Sequence, residues 1–223
     1  MTAAVQQSKP LRTGLVIAPL AILAVLAAWM FIWLTHYPPT VQAAPAGPGA
    51  VNVTMQTVGA IGTDPHPAWV SYLIQRPDGS WVHSTVLKVP AHSTVHMTIY
   101  QYDSGSDLRN PVMNQVQGAT DATVNGKPYA TWTDVIGHTF TIPQLGVSVP
   151  LPGIPDSAKN PCSTPAPCSP SFDHEKVQFS FQTGAAGNYT WQCFVPCGVG
   201  YIAGFGGPMA TIGYMNGMLQ VTA

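Results

Sequence analysis

Four cysteines fall in two close pairs, and each pair suggests its own chemistry. Cys193 and Cys197 lie four apart in GNYTWQCFVPCG. Tyr189, Trp191 and Cys193 alternate with Thr190 and Gln192, which is the two-residue period of a strand, so Cys193 travels with the aromatic, inward face. Two readings stay open for this pair. A disulfide is one, since a non-helical turn can bring such a pair together. A copper site is the other, because thiolates suit soft metals. Cys162 and Cys168 instead bracket STPAP in a proline-rich loop. Outside the cytoplasm such a pair staples a loop that has little core of its own, and a Cys162–Cys168 disulfide is expected.

Further candidate donors share the inward phase. His138, Phe140 and Ile142 alternate on one face of GHTFTI, and Met215, Gly217, Leu219 and Val221 are in phase near the C-terminal end. Met209 offers an alternative sulfur. The remaining histidines are less promising. His92 and His96 would span about 13 Å on a strand, too far for one ion, and they are read as surface residues. His174 beside Glu175 is read as solvated, and His36 as interfacial. Asp107 and Asp121 are loop residues without a partner, and Asn52 and Asn188 open glycosylation sequons. No nucleophile elbow and no phosphate-binding glycine motif is present.

The elements that must position these donors are short strands. After residue 50 no long segment carries a 3.6-residue apolar period, whereas period-2 runs recur. They are Val51–Met55, Trp69–Ile74, Trp81–Val89, Thr94–Tyr102, His138–Ile142, Val177–Phe181, Gly187–Phe194 and Met218–Thr222. Short strands separated by turn residues point to an all-β sandwich or barrel. Two long connections, Asp103–Ala130 and Leu151–Phe172, interrupt them. The 21 glycines and 22 prolines fit this plan.

Charge excludes one class of partner. With a formal net charge of −1 and 8% charged residues, there is no basic footprint for nucleic acid. So few charges fit either a surface covered by partner subunits or adaptation to an unusual external medium such as acid.

The run Leu15–Leu34 is 20 residues without a charge, and about 20 suffice to cross a bilayer. Lys9 and Arg12 precede it, and the next basic residue is Arg76. The positive-inside rule then sets the N-terminus in the cytoplasm and the rest outside, with Trp29, Trp33 and Tyr37 toward the outer interface. The competing reading is a signal peptide cleaved near Val41-Gln42-Ala43; the length of the apolar run favours a retained single-pass anchor. The expected organisation is a cytoplasmic tip and transmembrane anchor (1–37), a Pro/Ala/Gly linker (38–50) and an extracytoplasmic domain (51–223).

Three stretches together resemble the cupredoxin family: VLKVPAHSTVHMTIYQYDSG (Val86–Gly105), GHTFTIPQLGVSVPLPG (Gly137–Gly153), and FSFQTGAAGNYTWQCFVPCG (Phe179–Gly198) with GYMNGMLQV (Gly213–Val221). The Cys-x-x-x-Cys-Gly spacing is most similar to the CuA domain of cytochrome c oxidase subunit II. The resemblance implies a cupredoxin-like Greek-key β-sandwich with one N-terminal transmembrane helix. It also implies copper held by His138, Cys193, Cys197, the Val195 carbonyl and Met215. The family's second histidine falls on Tyr201, no histidine follows His174, and the Val199–Tyr214 loop is longer than the family's ligand loop. The implied role is that of a subunit of a respiratory terminal-oxidase-type complex, not catalytic alone. It would transfer electrons through copper or, with copper lost, serve assembly. Its partners would be integral membrane subunits and a cytochrome or other electron donor. The alternative is a stand-alone copper-binding or copper-delivery protein.

Overall fold

The computed structural model describes residues 13–35, 38–63, 66–105, 110–162, 166–197 and 207–223, with no side-chain description at 13–17, 33–35, 60–63 and 66–67. The chain divides into two units, Met1–Tyr37 and Pro38–Ala223. In the first, helix α1 runs Thr13–Thr35, and its side chains over 18–32 are exposed and apolar. Among the described residues no helix is long and apolar enough to cross a membrane. The expectations for Lys9, Arg12, His36, Tyr37, Asp107 and Tyr201 lie outside the described residues, as does the side chain of Trp33.

The second unit is a sandwich of two mixed sheets. In chain order its strands are β1 (Thr40–Gln42), β2 (Ala44–Gly47), β3 (Ala50–Thr63), β4 (His66–Gln75), β5 (Trp81–His83), β6 (Val86–Pro90), β7 (Thr94–Gln101), β8 (Thr120–Val124), β9 (Lys127–Pro128), β10 (Ile136–Ile142), β11 (Val147–Pro152), β12 (Glu175–Gln182), β13 (Gly187–Gln192) and β14 (Asn216–Thr222). One sheet has the order β1-β6-β14-β13-β10-β11. The other has the order β5-β4-β3-β7-β12-β8-β9, with β2 paired to β3. Parallel pairs β3/β7 and β6/β14 sit among antiparallel ones.

Alternation explains how the strands bury one face. Val95, Met97 and Ile99 of β7 are buried, while His96 between them is exposed. Val177, Phe179 and Phe181 of β12 face the same core, as do Leu219 and Val221 of β14. β10 differs, since all seven of its residues are buried. Phe140 sits at the centre, with ring centroids 5.0 Å from Trp191 and 5.7 Å from Phe179. Trp191 in turn meets Tyr72 edge-on at 5.0 Å, an arrangement that adds to the stabilisation from burial.

The structure corrects the expected linker. Residues 38–50 carry β1 and β2, with Thr40–Gln42 in parallel register with Val86–Lys88 and Ala44–Gly47 along β3. Val41 and Ala43 are buried. Proline and glycine obscured this segment, yet proline is tolerated on strands at sheet edges. The Asp103–Ala130 connection likewise contains β8 and β9. The Leu151–Phe172 connection holds the Cys162–Cys168 disulfide. There Gln56 bonds Cys168 at both backbone groups, accepting from its N–H at 2.7 Å and donating to its carbonyl at 3.4 Å. His174, read as solvated, is partly buried, with Tyr100 and Tyr102 rings 5.3 and 5.2 Å away.

Candidate metal centre

Three donors converge at one end of the sandwich. His138 Nδ1 lies 3.0 Å from Cys197 Sγ and 3.8 Å from Cys193 Sγ, and the two sulfurs are 3.3 Å apart. All three residues are buried. The sulfurs are free and well beyond the roughly 2.05 Å of a bond, so the structure holds two thiols where a disulfide had been the rival reading.

Each donor arrives on a different piece of backbone. Cys193 follows β13 with the inward phase of Trp191. Its sulfur accepts from the Thr139 N–H at 3.3 Å, and its own N–H donates to the Met215 carbonyl at 2.9 Å. Cys197 sits in the succeeding turn, which returns its sulfur to the same point. Both thiols approach the Val195 carbonyl oxygen, Cys197 at 3.1 Å and Cys193 at 3.5 Å. His138 enters from β10, where the register against β11 shifts between Ile136 and His138. Irregularities of this kind re-aim side chains beside functional sites.

Met215 is buried in the core and joins Cys193 through its carbonyl. Met209 is partly buried against the core, and its carbonyl accepts from Gln192 Nε2 at 2.9 Å. Two residues at the site were not singled out from the sequence. Asp103 Oδ2 lies 3.1 Å from His138 Nε2. Tyr72 is wholly buried, its ring 6.4 Å from that of His138 and its hydroxyl donating to the Thr139 carbonyl at 3.4 Å. Asp103 lies two residues past a strand that reads as core from Val95 to Ile99, and nothing local in sequence links it to a histidine 35 positions on.

The charges at the site are interdependent. Burial opposes a charged His138, but bonds to Asp103 and Cys193 outweigh it and raise the imidazole to about 9. Burial likewise opposes a charged Cys193, yet bonds to Cys197 and His138 take its thiol well below the usual value. Cys197 moves the other way, raised by its bond to Cys193 and by burial. Both shifts favour placing the Cys193 proton on His138, as a thiolate facing an imidazolium. Burial and the negative charge of the sulfurs raise Tyr72 well above its ordinary value.

Thiolate, imidazole and a backbone carbonyl are a donor set that fits a soft or borderline transition metal, copper among them. Among the described residues this trio is the one group of three or more His, Cys, Asp or Glu side chains close enough to share an ion.

No protein-family model matches the chain, and no curated protein matches it. Among solved structures it is similar to rusticyanin from Thiobacillus ferrooxidans, at 16% identity over 88% of this chain and 94% of that one, with a TM-score of 0.33. It is also similar to the metal-binding domain of the Cu(I)-exporting P-type ATPase CopA of Streptococcus pneumoniae, at 11% identity over 84% and 100%, TM-score 0.37. A third is a chain of a heme-copper terminal oxidase dimer, at 14% identity over 96% and 100%, TM-score 0.34. Likeness at this level bears on neither ligand nor role. The sandwich brings the strand before Cys193, the turn after it and the C-terminal strand together beside β10 and His138.

Proposed function

We propose that this chain is a membrane-anchored, cupredoxin-like copper protein that passes electrons as a subunit of a respiratory, terminal-oxidase-type complex. The convergence of His138 Nδ1 with two buried, unbonded sulfurs carries the metal part of this reading. His138, Cys193 and Cys197 would hold copper, with the Val195 carbonyl completing the set and Met215, or Met209, adding a thioether. The bound metal would supply a one-electron carrier. The chain would supply a stiff cradle, since β10 and β13 are locked by core packing and rearrange little as charge changes. The anchor rests on the uncharged Leu15–Leu34 run and the basic residues before it, which would leave the sandwich outside the membrane. The respiratory partner rests on the sequence resemblance to subunit II. One observation favours copper storage or delivery as a second reading: the described donors are two sulfurs to one imidazole, a set that favours copper(I).

The deciding experiment is metal analysis with thiol titration on the full chain, purified in detergent under reducing conditions. Bound copper that is lost on Cys193→Ser, without strong blue or purple colour, is the expected result. A metal-free protein that keeps a Cys193–Cys197 disulfide in reductant would refute the copper reading. Co-purification with haem-containing subunits separates the respiratory role from the delivery role, in which a monomer carries copper(I) alone.

A further inference from the structure

The imidazole of His138 could turn either nitrogen toward the sulfurs, and the two faces of its ring are not equivalent in this fold. Nδ1 faces Cys197 and Cys193. Nε2 faces a carboxylate that comes from the opposite sheet, because Asp103 follows β7 whereas His138 lies on β10. Buried imidazole ligands commonly owe their orientation to such an acceptor on the far nitrogen.

Asp103 is itself held at every polar atom. Its backbone N–H donates to Gln101 Oε1 at 3.0 Å, and its carbonyl accepts from the Ile154 N–H at 3.0 Å. Oδ1 accepts from the Ser104 N–H at 2.9 Å, which leaves Oδ2 for His138. The chain continues inward, since the Thr57 hydroxyl donates to the same Gln101 oxygen. Gln101 and Thr57 are wholly buried. The buried Gln101 oxygen, fixed by Thr57 on β3, thus holds the Asp103 backbone, while the Asp103 carboxylate meets His138.

Glycines let this segment approach β10. A Cβ at Gly105 would lie 2.8 Å from the Ile136 carbonyl carbon and 2.9 Å from the Gly137 nitrogen. One at Gly153 would lie 2.5 Å from the Gly105 nitrogen. One at Gly137 would collide with the Gln101 side chain. At Gly105 and Gly153 these are backbone-on-backbone contacts that leave no space for a side chain, and they let the segment that carries Asp103 lie against β10.

We propose that Asp103 is the positioning residue of this site: it holds the Nε2 proton of His138 and so commits Nδ1 to the ion. This deepens the copper reading by naming a residue outside the donor set on which the donor geometry depends. Asp103 touches no ion itself and acts through His138.

The test uses the full chain in detergent, labelled with 15N-histidine, reduced and first metal-free. Wild type is expected to show a hydrogen-bonded Nε2 proton on His138. Asp103→Ala removes the acceptor and loses this resonance, and its copper(I) affinity, measured by competition with a chromophoric chelator, falls about 10–100-fold. Asp103→Asn is isosteric and keeps one acceptor oxygen, contested by Ser104 and His138, so it falls between the two. Near-UV circular dichroism checks that both variants are folded. Persistence of the Nε2 resonance in Asp103→Ala overturns the proposal, as does copper(I) affinity within about two-fold of wild type. A wild-type chain that binds no copper(I) sinks the metal reading of the site, and the proton resonance alone then decides the role of Asp103.

Discussion

Proton bookkeeping in the metal-free, reduced site gives a stability profile that can be worked out in advance. In the unfolded chain His138 titrates near 6.5 and each cysteine near 9.0. In the fold His138 rises to about 9, Cys193 falls well below 9.0, and Cys197 lies above it. Up to about pH 9, wherever folded Cys193 is ionised and unfolded His138 is neutral, both states bind the same number of protons on these three groups, since the proton that leaves Cys193 sits on His138. Stability there is flat with respect to the trio. Below about 6.5 the unfolded histidine gains a proton that the folded site does not take up while Cys193 stays ionised, and stability falls as pH falls. Above about 9 the unfolded chain has lost both thiol protons while Cys197 keeps its own, and stability falls as pH rises. Each flank carries one proton, hence about 1.4 kcal/mol per pH unit. The assay is urea unfolding of the reduced, chelator-treated chain across this range. It is repeated on a variant with His138→Gln, Cys193→Ala and Cys197→Ala, and the second curve is subtracted from the first. Thiolate ultraviolet absorbance near neutral pH gives an independent reading of the Cys193 charge. A difference curve that stays flat on both flanks, or a pair with no thiolate near pH 7, would refute the ion-pair description.

Other perturbations test the scaffold. Replacing Cys162 and Cys168 by serine should lower stability by about 2–3 kcal/mol, the entropy of a short closed loop, and an unchanged urea midpoint would refute the staple. Trp191→Phe deprives the buried Thr85 carbonyl of its 2.9 Å indole N–H bond and opens space beside Tyr72 and Gly217. A loss of about 2–4 kcal/mol is expected, and a change below about 1 kcal/mol would show that the indole is not anchoring β13. If the helix anchors the chain with its N-terminus inside, protease added to the outer face should degrade the sandwich and spare the N-terminal residues; protection of the sandwich would overturn that topology.

Strands were legible wherever one face is apolar and the other polar. Val95, Met97 and Ile99 alternate cleanly with exposed or half-exposed neighbours, and Val177 to Phe181 alternate apolar with polar residues although Ser180 is itself buried. Strands were missed where pairing rather than patterning makes them. β1 and β2 are edge strands of three and four residues, TVQ and APAG, too short to show a period, and they exist because β6 and β3 offer free backbone partners. β11 reads VSVPLP and is buried along five of its six positions. Burial on both faces abolishes the alternation that announces a strand, and two prolines disguise the rest.

The sulfur–imidazole trio could be read from phase because each member sits at the inward beat of a strand or in the turn right after it. Phase specifies a face and nothing more. What brings His138 to the sulfurs is the antiparallel pairing of β10 with β13 and the register shift at Gly137, neither of which a period-2 pattern encodes. Asp103 was illegible for a related reason. A short polar residue just past a strand has many possible partners in sequence, and only the packing of two sheets selects one. The glycines carried a trace of it. Gly105 lies shortly after β7, Gly137 near the start of β10 and Gly153 just past β11, and each marks a close approach of neighbouring chain. Glycines clustered at strand ends around an inward-phased histidine therefore point to a crossing of chains at that histidine, and the residue beside the crossing is the one to suspect of holding its far nitrogen.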